Sequence, residues 1–162
     1  MILSAFTLFH VLISLVGIGS GFVVVYGLLT SKRLDGWTAI FLWTTIATSV
    51  TGFMFPVHRF MPSHGVGIVS LIVLAFSVLA RYRLRLEGGW RRTYAITAVI
   101  ALYLNVFVLI VQLFEKVPVL KELAPTQTEP PFVIAQSAAL LLFTFLGVRS
   151  AMKFHGQPLH SA

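Results

Sequence analysis

Apolar positions in this chain do not follow the short periods of a half-buried strand or a surface helix. They come in long runs, each about as long as a membrane is thick. A hydrocarbon core of about 30 Å is crossed by roughly 20 apolar residues in a helix. Runs of that kind cover 3–30, 37–56, 63–81, 92–115 and 130–152. Backbone polar groups in lipid must be satisfied within the segment, so each run predicts a helix. The expected fold is an all-α integral membrane bundle of about five transmembrane helices, forming one domain over 1–162. The first run lacks a basic leader and is longer than a secretory signal core, so a retained helix is predicted there. The connections are short except for 116–129. In that segment Pro118 is placed to open a short helix, with Val119, Leu120 and Leu123 as an apolar face lying on the membrane. Thr128 is the expected cap of the last helix, with Pro130 and Pro131 in its first turn.

Composition agrees with lipid as the surrounding medium. Only 10% of the residues are charged and 57% are hydrophobic, whereas a soluble domain carries about 25% charged residues. Nine of the 12 Lys and Arg residues fall on one side of the expected bundle: Lys32, Arg33, Arg81, Arg83, Arg85, Arg91, Arg92, Arg149 and Lys153. Arg59, Lys116 and Lys121 fall on the other. The positive-inside rule then predicts an N-terminus outside and a C-terminus in the cytoplasm. Trp37, Tyr82, Trp90 and Tyr94 are expected at the cytoplasmic interface, and the Arg81–Arg92 cluster is expected to touch anionic lipid heads. The net charge of +7 is broken up by apolar runs, so the expected partners are the lipid bilayer and other membrane subunits, not nucleic acid. The absence of cysteine excludes disulfides and thiolate metal sites.

Polar side chains within the spans are expected to face one another or a cavity. His10, Ser14, Gly17 and Gly21 share one helical face, and Gly17 with Gly21 forms a small-xxx-small pair that admits a neighbouring helix. His58 and His64 bracket a short outer turn that also holds Arg59. Asn105 and Gln112 lie seven residues apart on one face of the fourth run, and Gln136 lies two turns into the last. Together these residues predict an outer-side polar cluster at one level. It offers imidazole ligands from His10 and His64 for haem b, with Arg59 pairing a propionate. Alternatively, it offers hydrogen-bond partners for the carbonyls of a quinone. Met54, His58, Met61 and His64 form a thioether and imidazole string of the kind that suits copper(I). The hydroxyls of Thr44, Thr45, Thr48, Ser49 and Thr51 are expected to serve packing rather than line a pore.

The segment Leu123-Ala124-Pro125-Thr126-Gln127-Thr128-Glu129-Pro130-Pro131-Phe132, with Asn105 and Gln112 before it, resembles uncharacterised small multi-pass bacterial inner-membrane proteins. That resemblance implies a location in the bacterial cytoplasmic membrane and carries over no catalytic residue. No phosphate-binding loop, dinucleotide fingerprint or zinc-protease motif occurs. No charged residue falls in mid-span, which argues against a proton-coupled carrier. Three functions stay open: a redox-cofactor protein, a non-enzymatic assembly subunit of a membrane complex, and a transporter or channel component.

Overall fold

The computed structural model describes residues 2–55, 59 and 62–154. Helices α1 (Ile2–Leu29), α2 (Asp35–Gly52), α3 (Pro62–Val78), α4 (Trp90–Lys116), α5 (Pro118–Leu123) and α6 (Pro130–Lys153) follow one another, with no strand among the described residues. Four segments are long and apolar enough to cross a membrane: Ser4–Leu29, His64–Arg83, Trp90–Lys116 and Pro130–Lys153. Of the five expected spans, only α2 falls short of that measure. Its hydroxyls lower its hydropathy, and several of them bond back to the helix itself. Thr44, Thr48 and Thr51 donate to the carbonyls of Ile40, Thr44 and Ala47 at 2.6, 2.8 and 2.7 Å. The expectation of hydroxyls serving packing holds for these three.

Helix α4 is the hub of the bundle, packing on α1, α3, α5 and α6, while α2 bridges α1 and α3. Consecutive long helices run antiparallel. At one end His10 of α1 meets Thr51 of α2. At the other, a Cβ at Gly27 would meet Leu34 Cδ1 at 2.7 Å and the Lys32 carbonyl at 2.9 Å. Helix α2 therefore lies beside α1 from His10 to Gly27, a rise of about 25 Å. The core is a layer of Val24, Leu28, Phe41, Leu42, Leu74, Ala98 and Leu102. Large apolar side chains stay exposed along every long helix, Leu12, Trp43, Ile72, Ile100 and Leu141 among them. Such an inside-and-outside apolar bundle is stable only where its surround is apolar too.

Hydroxyl and amide side chains join neighbouring helices. Ser49 donates to Ser70 at 3.2 Å between α2 and α3. Ser77 and Thr97 meet at 2.6 Å between α3 and α4; the Thr97 proton goes to Thr93 O, so Ser77 is the donor. Gln136 Nε2 of α6 donates to the Phe107 carbonyl of α4 at 3.2 Å. Interhelical bonds of this kind stabilise membrane bundles by roughly 0.6 kcal/mol each.

The segment after α4 forms the short helix expected from Pro118. Val119 and Leu123, four residues apart, share one exposed face, while Leu120 is half-buried. The cap of α6 differs from expectation. Glu129, not Thr128, is the N-cap, and it makes no side-chain bond to the helix. Its carboxylate turns back into the preceding loop, accepting from the Thr126 amide and hydroxyl at 3.2 and 2.7 Å and from the Thr128 amide at 3.1 Å. With Pro130 and Pro131 at the first two helical positions, the second-position amide that a cap would serve is missing, and the loop amides take the carboxylate instead.

Candidate functional site

At the end of the bundle holding His10, the ring Nδ1 lies 2.7 Å from Thr51 Oγ1. The Thr51 proton is committed to Ala47 O, so His10 Nδ1–H is the donor and Nε2 keeps its lone pair. The ring stands edge-on to Phe55, centroids 5.1 Å apart, and Phe55 in turn packs on Phe6 at 4.9 Å. Ser14 donates to the His10 carbonyl at 2.7 Å and reaches Thr48 at 3.4 Å. His64 instead packs against Phe53, centroids 5.6 Å apart. Thr51 and Phe53 are two residues apart and point to opposite sides of α2. His10 and His64 thus contact different residues at the end of α2, Thr51 and Phe55 for the one and Phe53 for the other. Arg59 is exposed. His58 and Met61 lie outside the described residues, and with them two of the four members of the copper string. Among the described residues no group of three His, Asp or Glu side chains has a metal-binding arrangement.

The amides occupy two depths. Gln112 is half-buried near the end of α4. Asn105 lies deeper: a Cβ at Gly17 would meet Thr44 Oγ1, Thr45 Oγ1 and Asn105 Nδ2 at 3.1, 3.2 and 3.3 Å. Gly17 is two turns below His10, about 10 Å along α1. Asn105 therefore belongs to a separate knot in mid-bundle, where Thr45 Oγ1 and Asn105 Nδ2 are buried without a partner. Gln136 sits near this depth through Phe107, and its Oε1 is also buried and unpartnered.

The loop between α5 and α6 is the most tightly tied polar feature at the histidine end. Gln127 adopts φ 59°, a left-handed conformation that a non-glycine residue holds only under constraint. The constraint is visible: Gln127 Nε2 donates to the Val111 carbonyl at 3.0 Å. The Thr126 hydroxyl bond, joined by loop amides, holds the Glu129 carboxyl below its ordinary 4.5. A depressed carboxyl favours the folded loop above its ordinary value, and that contribution is lost as pH falls through the lower folded value. Amide resonances of Thr126 and Thr128 are expected to titrate with a midpoint below 4.5 and to stop titrating in Glu129→Gln. A midpoint at or above 4.5 would contradict the bonding described.

The opposite end carries a feature that charge counting misplaces. Arg81 is not at the lipid surface: it is 1% exposed. Five residues, Leu79–Arg83, form a π-helical turn after α3. Insertions of this kind shift the facing of the residues that follow. Arg81 Nη2 bonds the Asp35 carboxylate and lies 3.4 Å from the Arg33 carbonyl. Its guanidinium carbon sits 5.1 Å from the centre of the Tyr94 ring. Tyr94, expected at the interface, is buried with it; its hydroxyl reaches Thr38 at 3.5 Å and its ring packs on Phe154. Trp37, Tyr82 and Trp90 are exposed. One turn thus ties α2, α3, α4 and the end of α6. A signal for it existed: at 100° per residue, Arg81 and Arg83 cannot both face lipid, and Asp35 is one of only two carboxylates at this end. No family model, curated protein or solved structure matches this chain.

Proposed function

We propose that the chain is a non-enzymatic docking or assembly subunit of a membrane complex. In this reading it crosses a bacterial cytoplasmic membrane five times, with its N-terminus outside. Helix α2 counts as a crossing because it runs beside α1 through the same depth. The orientation follows from the basic end, taken as cytoplasmic. The observation that carries the role is the loop of Thr126, Gln127, Thr128 and Glu129. It is polar, with Thr126 and Thr128 exposed and Gln127 and Glu129 half-buried, yet it is held in one strained conformation, and the short helix just before it in the chain leaves Val119 and Leu123 uncovered. A surface fixed in this way loses little entropy when a partner covers it. His10 at this end and Gln136 deeper in the bundle bond neighbouring helices, which suits a scaffold better than a reaction centre.

Native gels from mild detergent are expected to show a discrete assembly that Val119→Glu and Gln127→Ala each disperse, with the chain itself still folded. A photocrosslinker at Val119 should trap protein, while one at Leu141 on the lipid-facing side should trap lipid. A stable monomer with lipid adducts at both positions would end this reading.

A second reading, a haem or quinone cofactor, rests on the free Nε2 of His10 and the unpartnered Asn105 Nδ2 and Gln136 Oε1. The different contacts of His10 and His64 disfavour a two-histidine haem and leave the quinone form better supported. The visible spectrum and quinone content of the purified protein decide it. A colourless, quinone-free preparation removes the cofactor reading and leaves the docking reading intact.

A further inference from the structure

Two grooves run along the lipid-facing surface, and both end in an arginine at the same end of the bundle. The larger, about 720 Å³, lies between α4 and α6. Its walls are apolar, including Val99, Tyr103 and Phe143, with Gly147 in the α6 wall and Arg92 at its mouth. The second, about 610 Å³, lies along α3 against Ile46 of α2 and ends at Tyr82 and Arg83. From Arg92 to Leu104 the larger groove follows α4 for about 18 Å. One leaflet of a bilayer core is about 15 Å deep. The groove thus has the length of a leaflet and a cation at the headgroup level. Arg92 is exposed and has no carboxylate partner among the described residues.

We infer that the α4–α6 groove binds an anionic phospholipid, one acyl chain lying along Val99, Tyr103 and Phe143 and the phosphate held by Arg92. Charge complementarity selects this occupant over a second copy of the chain. A two-fold contact through the groove, with its axis along the membrane normal, would bring two Arg92 side chains to the same level, together with Arg149 and Lys153 of each copy. A phosphate supplies the missing counter-charge, and its acyl chain fills the apolar length. The Arg83 groove repeats the same polarity on different helices, as expected where the cation marks headgroup depth.

Native mass spectrometry of the full chain, released from vesicles holding equal phosphatidylglycerol and phosphatidylcholine of matched chains, tests this inference. The wild type is expected to retain phosphatidylglycerol about five-fold over phosphatidylcholine. Arg92→Gln, a change at an exposed position, should bring that ratio close to one. Arg85→Gln, which removes a cation outside both grooves, should leave it high. Thr144→Phe, which fills the groove without changing charge, should reduce retention of both lipids. Equal retention by the wild type, a preference that survives Arg92→Gln, or a preference lost equally in Arg85→Gln would each overturn the assignment. Release of a dimer in place of a lipid-bound monomer would do the same.

Discussion

Replacing Asp35 by alanine is expected to destabilise the bundle by about 3 kcal/mol, because it leaves the Arg81 guanidinium buried without its carboxylate. Arg81 is 1% exposed, while the Asp35 side chain is 57% exposed. The pair is therefore asymmetric: one charge has been taken out of water and the other has not. Removing the exposed partner is the more harmful change, since the buried one keeps its desolvation cost and already has an unpartnered Nη1. Arg81→Met removes the buried charge and keeps most of the packing against Tyr94, so its cost should be smaller, roughly 1 kcal/mol. The double variant Asp35→Ala with Arg81→Met should then be more stable than Asp35→Ala alone. That inversion is the mark of a buried ion pair rather than of general damage to the helix end. Unfolding in mixed micelles measures all four proteins. Additive losses in the double variant, or an Asp35→Ala protein as stable as the wild type, would show that Arg81 is satisfied without Asp35. Protease sensitivity should rise first between α1 and α2 and between α3 and α4, the two connections that the pair fastens.

The same pair shows where sequence reasoning loses contact with the fold. Four of the five expected spans were legible as long apolar helices because lipid imposes one strong rule, an apolar run of fixed length, and tertiary packing seldom overrides it. The fourth and fifth expected spans, 92–115 and 130–152, differ from α4 and α6 by no more than two residues at either end. The inward face of α1 was legible for a similar reason, since only close helix packing explains small residues at Gly17 and Gly21. Arg81 was not legible because the positive-inside rule counts cations without asking which way they face. The π-helical turn that carries Arg81 inward leaves no pattern in composition. The outer polar cluster was read as one level because depth along a tilted helix is not encoded by spacing alone. In the structure Asn105 meets Gly17, while His10 meets Thr51, two turns away. The polar residues that looked alike in the sequence thus serve three different places: the histidine end, the mid-bundle knot and the basic end.

Gly21→Leu is expected to cost about 3 kcal/mol or more, and the loss should fall on the contact of α1 with α2 and α4 together. A Cβ alone at this position would meet Leu102 Cδ1 at 2.6 Å and the Phe41 ring at 3.0 Å. Leu102 and Phe41 are themselves fully buried, so neither can move aside without displacing the core. Overpacking a well-filled interior typically costs 1–3 kcal/mol, and a leucine adds three heavy atoms beyond that Cβ. Alanine is the informative milder change. Its one methyl meets the flexible end of Leu102, so Gly21→Ala should cost about 1 kcal/mol, and pairing it with Leu102→Val should recover part of that loss. Gly19, where a Cβ meets nothing within 4 Å, supplies the control on the same helix, and Gly19→Leu should leave stability within about 0.5 kcal/mol of the wild type. Equal losses at Gly19 and Gly21 would mean that α1 responds to the chemistry of leucine rather than to space. The close three-helix junction at Gly21 would then not be the contact that holds α1 in place.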